Sequence, residues 1–171
     1  MQQSPAAALF STGSAVFSED NAYRYRLDRY WQEEATSPAI FVMLNPSTAD
    51  ANKDDPTIRR CLGFARAWGC SGLTVYNIFA LRSTDPKLLR KATDPVGPDN
   101  EQTIKDGCAG RIVICAWGTH GEFNGQGDRV LGWLREVGAK PYALRLTAKG
   151  QPCHPLYLPA DLSPFAMLAA L

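Results

Sequence analysis

The sequence predicts one α/β domain in three layers, with helices on both faces of a mostly parallel central sheet. Three observations lead to this prediction. Short apolar runs alternate along the chain with segments of helical periodicity. The 171 residues fit a single domain, residues 1–171, and no repeat, low-complexity segment or long linker divides them. The composition, with 45% apolar and 20% charged residues, is that of a compact globular protein.

The first strands are predicted from two kinds of pattern. Residues 23–31 alternate aromatic or aliphatic with charged side chains, which indicates a half-exposed strand. Residues 39–44 are a continuous apolar run that ends in Asn-Pro, as expected of a central strand covered on both faces. Residues 1–20 are expected to form a poorly ordered or peripheral N-terminal segment.

The first helix is predicted from its boundaries as well as from its periodicity. Asp55 is a typical N-cap residue, and Pro56 suits the first turn. Apolar residues then recur at helical spacing from Ile58 to Trp68. Gly69 is expected to end the helix.

The rest of the chain continues this alternation. Predicted strands cover residues 73–79, 111–116 and 141–146, and predicted helices cover residues 99–109 and 128–137. Ser163-Pro164 is expected to cap a short final helix. Strands separated by helices of this length imply right-handed crossovers, and ligands of such sheets bind beyond the carboxyl ends of the strands.

Four polar motifs lie at the predicted strand ends. They are residues 44–50 (LNPSTAD), Asn77, residues 116–121 (AWGTHG) and residues 149–156 (KGQPCHPL). Taken singly, each has a structural explanation: a turn or cap at 44–50, a buried amide at Asn77, core packing and a turn at 116–121, and a rigid loop residue at His154. Their order along the chain is the informative feature.

In this order, the motifs resemble a bacterial family known as domain of unknown function 1643, which is recognised by its LNPSTAD segment. Over the core, residues 38–160, the pattern is in turn similar to that of the uracil-DNA glycosylase superfamily, which implies the fold of that superfamily. Asn45-Pro46 matches a first motif with Asp-Pro or Asn-Pro, and Asn77 matches a base-reading Asn. Residues 116–118 match an apolar-Trp-Gly segment. His154-Pro155 matches the start of a His-Pro-Ser loop, with Leu156 in place of Ser.

The resemblance implies cleavage of an N-glycosidic bond, in DNA or in a nucleoside or nucleotide. His154 would hydrogen-bond the oxygen of the departing base, Asn45 would position a water at the sugar, and Asn77 would read the base edge with its acceptor and donor. Efficient members of the superfamily place Asp where Asn45 stands, and an amide can orient a water but cannot accept its proton. Asp50 is therefore a third candidate catalytic residue, whereas Asp54-Asp55 is expected to cap a helix.

The remaining predicted site residues bind the substrate. The substrate-binding set implied by the resemblance is Asn77, Pro46, Ser47, Trp117, Gly118 and Leu156. Arg82 and Lys149 are predicted phosphate contacts, and residues 156–158 are a candidate wedge for a duplex. A net charge of +1 is low for a duplex binder. A free nucleotide or nucleoside substrate therefore stays open, as does a nucleobase-binding module without catalysis.

No cofactor is predicted. The five cysteines are odd in number and form no Cys-x-x-Cys pair, which disfavours a disulfide framework, a zinc site and the iron–sulfur cluster that some glycosylases carry. A hydrolase using Ser47 or Thr48 is disfavoured because no Gly-x-Ser-x-Gly elbow is present. The chain shows no signal peptide and no apolar run of membrane-spanning length, so a cytoplasmic location is expected; protein partners are not indicated.

Overall fold

The computed structural model describes residues 12–32 and 37–168, which form a seven-stranded sheet with helices on both faces. The α/β class predicted from the sequence is confirmed. Two 3₁₀ segments, Pro86–Lys91 and Thr119–Gly125, lie in the connections. The strands and helices are β1 (Thr12–Phe17), β2 (Arg24–Tyr30), β3 (Ala39–Met43), α1 (Pro56–Ala67), β4 (Gly72–Asn77), α2 (Asn100–Cys108), β5 (Ile112–Ala116), α3 (Gln126–Glu136), β6 (Lys140–Ala143) and β7 (Phe165–Ala166).

The sheet is mixed, and the prediction of a mostly parallel sheet is wrong in this respect. Its order is β1-β2-β4-β3-β5-β6-β7. The four central strands β4, β3, β5 and β6 are parallel, whereas β1, β2 and β7 are antiparallel to their neighbours. Residues 18–23 between β1 and β2 are too few for a crossover, so these strands can pair only as a hairpin. Hydrophobic periodicity locates strands but does not report their direction.

The side on which successive parallel strands are added to the sheet changes between β3 and β5. The chain passes from β3 through α1 to β4 on one side, and later returns to place β5 on the other side of β3. A doubly wound sheet leaves a crevice at the carboxyl ends of the two strands where the order reverses. In this fold, the crevice is bordered by the residues that follow β3 and β5.

Two apolar cores cover the two faces of the sheet. Phe41 and Met43 of β3 pack with α1 on one face, whereas Ile40 and Val42 pack with α2 and α3 on the other. Because both faces of β3 are buried, every position of this strand is apolar, and the pattern of residues 39–44 is explained.

The predicted boundaries of α1 are confirmed. The Oδ1 of Asp55 accepts a hydrogen bond from the Ile58 backbone N–H at 2.8 Å, and Pro56 occupies the first turn. Such a cap contributes about 0.5–2 kcal/mol to stability. Gly69 follows the helix with a φ of +73°, a left-handed conformation that favours glycine.

Strand β2 is buried, although its alternating pattern predicts a half-exposed strand. It lies inside the sheet between β1 and β4, and the loop after β3 also covers it. Arg29 is 0% exposed: its Nε pairs with Asp54 Oδ1 at 2.9 Å, and its Nη2 donates to the backbone carbonyls of Asp50 and Lys53. Charged residues in this strand are thus satisfied by protein groups instead of by water.

The C-terminal part differs from the prediction in two places. The strand predicted at residues 141–146 is β6, which is shorter and begins one residue earlier. The predicted final helix is wrong: β7 lies there instead and pairs antiparallel with β6. A helix of so few residues does not repay the cost of its nucleation, whereas a short strand gains hydrogen bonds from the edge of β6 at once.

The segment predicted to be peripheral, residues 1–20, contains edge strand β1; residues 1–11 lie outside the described part of the chain. Among the described residues, no helix is both long enough and apolar enough to cross a membrane.

Candidate functional site

A cleft of about 400 Å³ opens at the carboxyl ends of β3 and β5, where the winding of the sheet reverses. This volume lies within the range of about 300–1,000 Å³ that is usual for small-molecule sites. Its walls come from four connections and from the first turn of α1. The lining residues are Leu44, Asn45, Ser47, Thr57, Ser83, Thr84, Pro86, Trp117, Gly118, Thr119, His120, His154 and Leu156.

Asn45 is held by its amide nitrogen. The Nδ2 group donates to the backbone carbonyl of Ser83 at 2.8 Å and to that of Pro46 at 3.1 Å. Two carbonyl acceptors on one side of the amide determine which end is nitrogen. The Oδ1 atom of this cleft residue is therefore the end available to accept a hydrogen bond from a water or a ligand.

His154 offers a hydrogen-bond donor, which complements the acceptor on Asn45. Its Nδ1 accepts a hydrogen bond from the Leu156 backbone N–H at 3.3 Å, so the proton of the neutral ring is on Nε2. Burial lowers the pKa of His154 below its ordinary value of 6.5, and the nearby carboxylate of Asp55 opposes this shift. At neutral pH the ring is therefore uncharged, and it offers an Nε2–H donor.

The loop that carries His154 is attached to the end of β5. The Gly118 N–H donates to the carbonyl of Pro152 at 2.7 Å, and the Trp117 indole N–H donates to Gln151 Oε1 at 2.8 Å. Gly118 has a φ of +74° and a ψ of −168°, a region that is essentially restricted to glycine. A Cβ at Gly118 would lie 3.4 Å from the Cβ of His154. The two predicted motifs, 116–121 and 149–156, thus meet.

Trp117 belongs to the wall of the cleft, but its indole is buried. The residue is 1% exposed, and its ring lies so close to Gly121 and Gly127 that neither could carry a Cβ without displacement. The ring therefore packs in the core, as the structural explanation of this motif proposes. Its contribution to the site is to position the loop through Gln151.

Three other predicted binding residues lie at or beside the cleft. Ser47 and Leu156 line it directly. Pro46 is buried beside them, and its carbonyl accepts hydrogen bonds from Asn45 and from the Ser83 backbone N–H. The structure thus brings these three residues together with Asn45, His154 and the end of β5.

Asn77 does not line the cleft. It is 2% exposed, its Oδ1 accepts from Arg24 Nη2 at 3.2 Å, and its backbone carbonyl accepts from Asn100 Nδ2 at 2.8 Å. Asn77 is thus a buried amide, in keeping with the structural explanation of this motif. Its role in reading a base stays a prediction, and this conformation does not place the residue for it.

Asp50 is also outside the cleft. Its Oδ1 accepts from the backbone N–H groups of Asn52 and Lys53, both at 2.9 Å. These bonds stabilise the charged form and lower the pKa of Asp50 below its ordinary value. Within the part of the chain that the structure describes, no Asp or Glu lines the cleft.

The two predicted phosphate contacts lie elsewhere. Arg82 donates to the carbonyl of Asn21 at 3.1 Å, and its guanidinium stacks on the ring of Phe17. Lys149 is 77% exposed and pairs with Glu122 at 3.8 Å. Neither of these side chains lines the cleft.

Several lining residues were not predicted as site residues from the sequence. Ser83 and Thr84 follow β4, and Thr57 lies in the first turn of α1. Thr119 and His120 belong to the predicted motif at residues 116–121, but no role was assigned to them. Their signal was weak: each is a small polar residue, or a histidine, near the end of a predicted strand or the start of a helix, and such residues also serve as ordinary turns and caps.

The side chain of Tyr157 is exposed to solvent beside the cleft residue Leu156. It is 93% exposed and has a φ of +70°, a conformation that a bulky residue adopts only at a cost of about 1–3 kcal/mol. The Leu158 N–H donates to the Pro155 carbonyl at 3.2 Å and closes the turn that holds it. The residue before Tyr157 is the cleft residue Leu156.

Residues 24–156 match the model of a family described as protein of unknown function (DUF1643). The chain belongs to this family. The DUF1643 segment runs from β2 through β6 to the His154 loop, and it contains every residue that lines the cleft, whereas β1 and β7 lie outside it. No curated protein and no solved structure shows a significant match to the chain.

Proposed function

We propose that the cleft binds a nucleobase and promotes cleavage of its N-glycosidic bond, in DNA or in a nucleoside or nucleotide. The observation that carries the proposal is that Asn45 and His154 line one cleft in complementary states, with an available acceptor on Asn45 and a neutral N–H donor on His154. The resemblance of the four motifs to the uracil-DNA glycosylase superfamily supports the choice of ligand.

His154 acts on the leaving group. When the C–N bond breaks, its electron pair stays with the base, which departs as an anion, and the sugar becomes an oxocarbenium-like cation. An Nε2–H group directed at a carbonyl oxygen of the base stabilises the charge that develops there. A preorganised donor in a site partly shielded from water is one of the largest contributions to catalysis. The lowered pKa of His154 keeps the ring neutral, so it donates without adding a charge to the cleft.

Asn45 acts on the nucleophile. Its Oδ1 accepts a hydrogen bond from a water and thereby orients the water oxygen toward the sugar carbon. The water adds to the cation, and its proton passes to the departing base or to solvent. An amide does not take up that proton, so Asn45 orients the water but does not make it a stronger nucleophile. The rate therefore depends mainly on departure of the base.

The other cleft residues suit a flat, polar and uncharged ligand. The hydroxyl groups of Ser47, Thr57 and Thr84 can donate or accept, which matches the mixed edge of a nucleobase, whereas the hydroxyl of Ser83 is bonded to the backbone of Asp85. Leu156 lines the cleft, and the exposed Tyr157 follows it in the His154 loop, so these two residues are the candidates for a wedge that supports an extruded base. Leu158, the third residue of the predicted wedge, is buried in the core.

A second candidate function is binding of a nucleobase without turnover. Two observations favour it. No carboxylate lines the cleft in the described residues, and Leu156 stands where the superfamily motif has a serine. Such a protein would sequester or sense a nucleobase or a nucleotide.

A base-release assay separates the two functions. The substrates are single-stranded uracil DNA, mismatched duplexes and free nucleosides and nucleotides. We expect release that falls by roughly 100-fold or more in His154→Ala, since this variant lacks one transition-state donor. Asn45→Ala should also slow release, whereas Asn52→Ala, the same change in the exposed neighbouring loop, should leave it unchanged. Saturable nucleobase binding that requires His154 but gives no release would establish the second function. Neither binding nor release from any substrate would contradict both.

A further inference from the structure

Helix α1 carries a concentration of positive charge. Its twelve residues include Arg59, Arg60 and Arg66 and no acidic residue. The chain as a whole is balanced, with 18 basic and 17 acidic residues, so this excess is local. Among the described ion pairs, none involves any of these three guanidinium groups. Among the described residues, no carboxylate therefore pairs with these charges, and Arg59 Nη1 donates to the backbone carbonyl of Asp54 at 3.3 Å.

Two of the three arginines are oriented by aromatic rings. The guanidinium of Arg66 lies 4.4 Å from the ring centre of Trp31, and that of Arg60 lies 5.3 Å from the ring centre of Phe64. Stacking of this kind restricts the side chain but leaves its N–H groups free to donate. The Nε of Arg60 is buried and has no hydrogen-bond partner in the structure.

The surface between the arginines is concave. Arg59 and Arg60 border a depression of about 220 Å³ whose floor includes Gly63, Phe64 and Ala67. Nothing lies within 4 Å of the position that a Cβ of Gly63 would occupy. Small residues at this point allow a phosphate group to approach the helix closely.

The position of Arg59 and Arg60 is unfavourable for the dipole of α1. The N-terminal end of a helix is the positive end of its dipole, where acidic side chains are favourable and cations are not. Local contacts offset part of this cost, because Arg59 Nη1 donates to the Asp54 backbone carbonyl at 3.3 Å and the Arg60 guanidinium stacks on Phe64.

One of the arginines lies on the cleft side of α1. Thr57 lines the cleft, and Arg60 follows three residues later on the same side of the helix. Arg59 and Arg66 lie on the neighbouring part of the exposed surface, about 10 Å apart along the helix axis, given a rise of about 1.5 Å per residue. A chain of phosphates leaving the cleft beside Thr57 would meet Arg60 first and then the other two cations.

We propose that the arginine face of α1 (Arg59, Arg60 and Arg66) binds the phosphate backbone of a single-stranded nucleic acid whose base occupies the cleft. This rests on the proposed function and makes its substrate a polymer. The face carries no exposed large apolar side chain of the kind that enters a membrane. Its spaced, ring-oriented guanidinium groups suit a linear array of phosphates.

The test is the salt dependence of binding to a labelled single-stranded oligodeoxynucleotide that contains uracil. The variant Arg59→Glu/Arg66→Glu is compared with Arg111→Glu/Arg135→Glu, the same charge change at exposed positions remote from α1. We expect only the first to bind weakly, with a salt slope smaller by roughly 0.7 for each phosphate that the variant does not neutralise. Arg59→Lys/Arg66→Lys should keep most of the slope. The melting temperature of each variant checks its folding.

A parallel measurement with deoxyuridine, read as a thermal shift, reports the cleft alone. Weak oligonucleotide binding in the α1 variant, with its deoxyuridine shift retained, supports the proposal. Equal oligonucleotide binding and salt slope in the two charge-reversal variants overturns it, even if the cleft still binds deoxyuridine. Arginine-dependent binding to phosphatidylserine vesicles without binding to the oligonucleotide also overturns it, in favour of a lipid surface. Arginine-dependent oligonucleotide binding without any deoxyuridine shift supports the surface and contradicts the proposed function of the cleft.

Discussion

Replacing Gly118 with alanine should destabilise the protein and disturb the cleft at the same time. The φ of +74° and ψ of −168° at this position cost a residue with a side chain about 1–3 kcal/mol. The new Cβ would lie 3.4 Å from the Cβ and 3.7 Å from the backbone nitrogen of His154, which are ordinary van der Waals contacts, so the cost comes from the backbone conformation. The N–H of Gly118 holds the Pro152 carbonyl at 2.7 Å, so any backbone shift moves the His154 loop.

At two other glycines, an added Cβ would contact no neighbouring atom, so alanine there measures the effect of the backbone conformation alone. Gly69→Ala places a Cβ at a φ of +73° with nothing within 4 Å, so it measures the backbone cost alone, about 1–2 kcal/mol. Gly63→Ala lies inside α1, also with nothing within 4 Å, and should stabilise by about 0.5–1 kcal/mol. The same chemical change thus has opposite signs at the two sites.

The assay is urea unfolding of the three variants, together with the base-release or nucleobase-binding measurement. Gly118→Ala should lose the most stability and also lose activity or binding, whereas Gly69→Ala should lose stability alone. A Gly118→Ala variant as stable as the wild type would refute the conformation assigned to this residue. Full activity in that variant would show that the end of β5 does not position His154.

Three further predictions concern the cleft loop and the buried charges. Tyr157→Asn should raise stability by up to about 1 kcal/mol in urea unfolding, because Asn adopts a positive φ more readily than Tyr. Burial lowers the pKa of His154 below 6.5, so the unfolded chain takes up a proton at this residue before the folded chain does as the pH falls. The free energy of unfolding should therefore decline below about pH 6.5, and His154→Ala should remove that part of the decline. Arg29→Ala should cost about 3–5 kcal/mol because it leaves Asp54 buried without its partner, whereas Lys105→Ala, which breaks more exposed pairs, should cost under about 1 kcal/mol.

Arg24 explains why Asn77 is turned away from the cleft. Its guanidinium is buried, and it donates to the carbonyl of Ala49 at 3.0 Å and to Asn77 Oδ1 at 3.2 Å. Burial lowers the pKa of Arg24 to about 10, so the group remains charged at neutral pH. A buried cation requires such acceptors. Arg24 of β2 therefore connects Asn77 of β4 to the loop after β3, which carries Asn45.

Local signals in the sequence determined the elements on which the site depends. The apolar run at residues 39–44 indicated a strand buried on both faces, and Asp55-Pro56 marked the start of α1. These signals are readable because a cap or an apolar run depends on neighbouring residues alone. The order of Asn45, Asn77, Trp117 and His154 along the chain also predicted one shared site at the carboxyl ends of the strands, and the structure brings all of these residues except Asn77 to one cleft.

Tertiary structure decided which of the candidate polar residues face that cleft. Like Asn45, Asn77 and Asp50 lie at the end of a strand or in the loop that follows one. However, Asn77 accepts a hydrogen bond from Arg24, and Asp50 accepts hydrogen bonds from the backbone N–H groups of residues 52 and 53. The mixed direction of the sheet and the burial of β2 were likewise decided by pairing between distant segments. Periodicity reports which side of a strand is apolar, whereas direction and hydrogen-bond partners depend on groups that meet only in the folded chain.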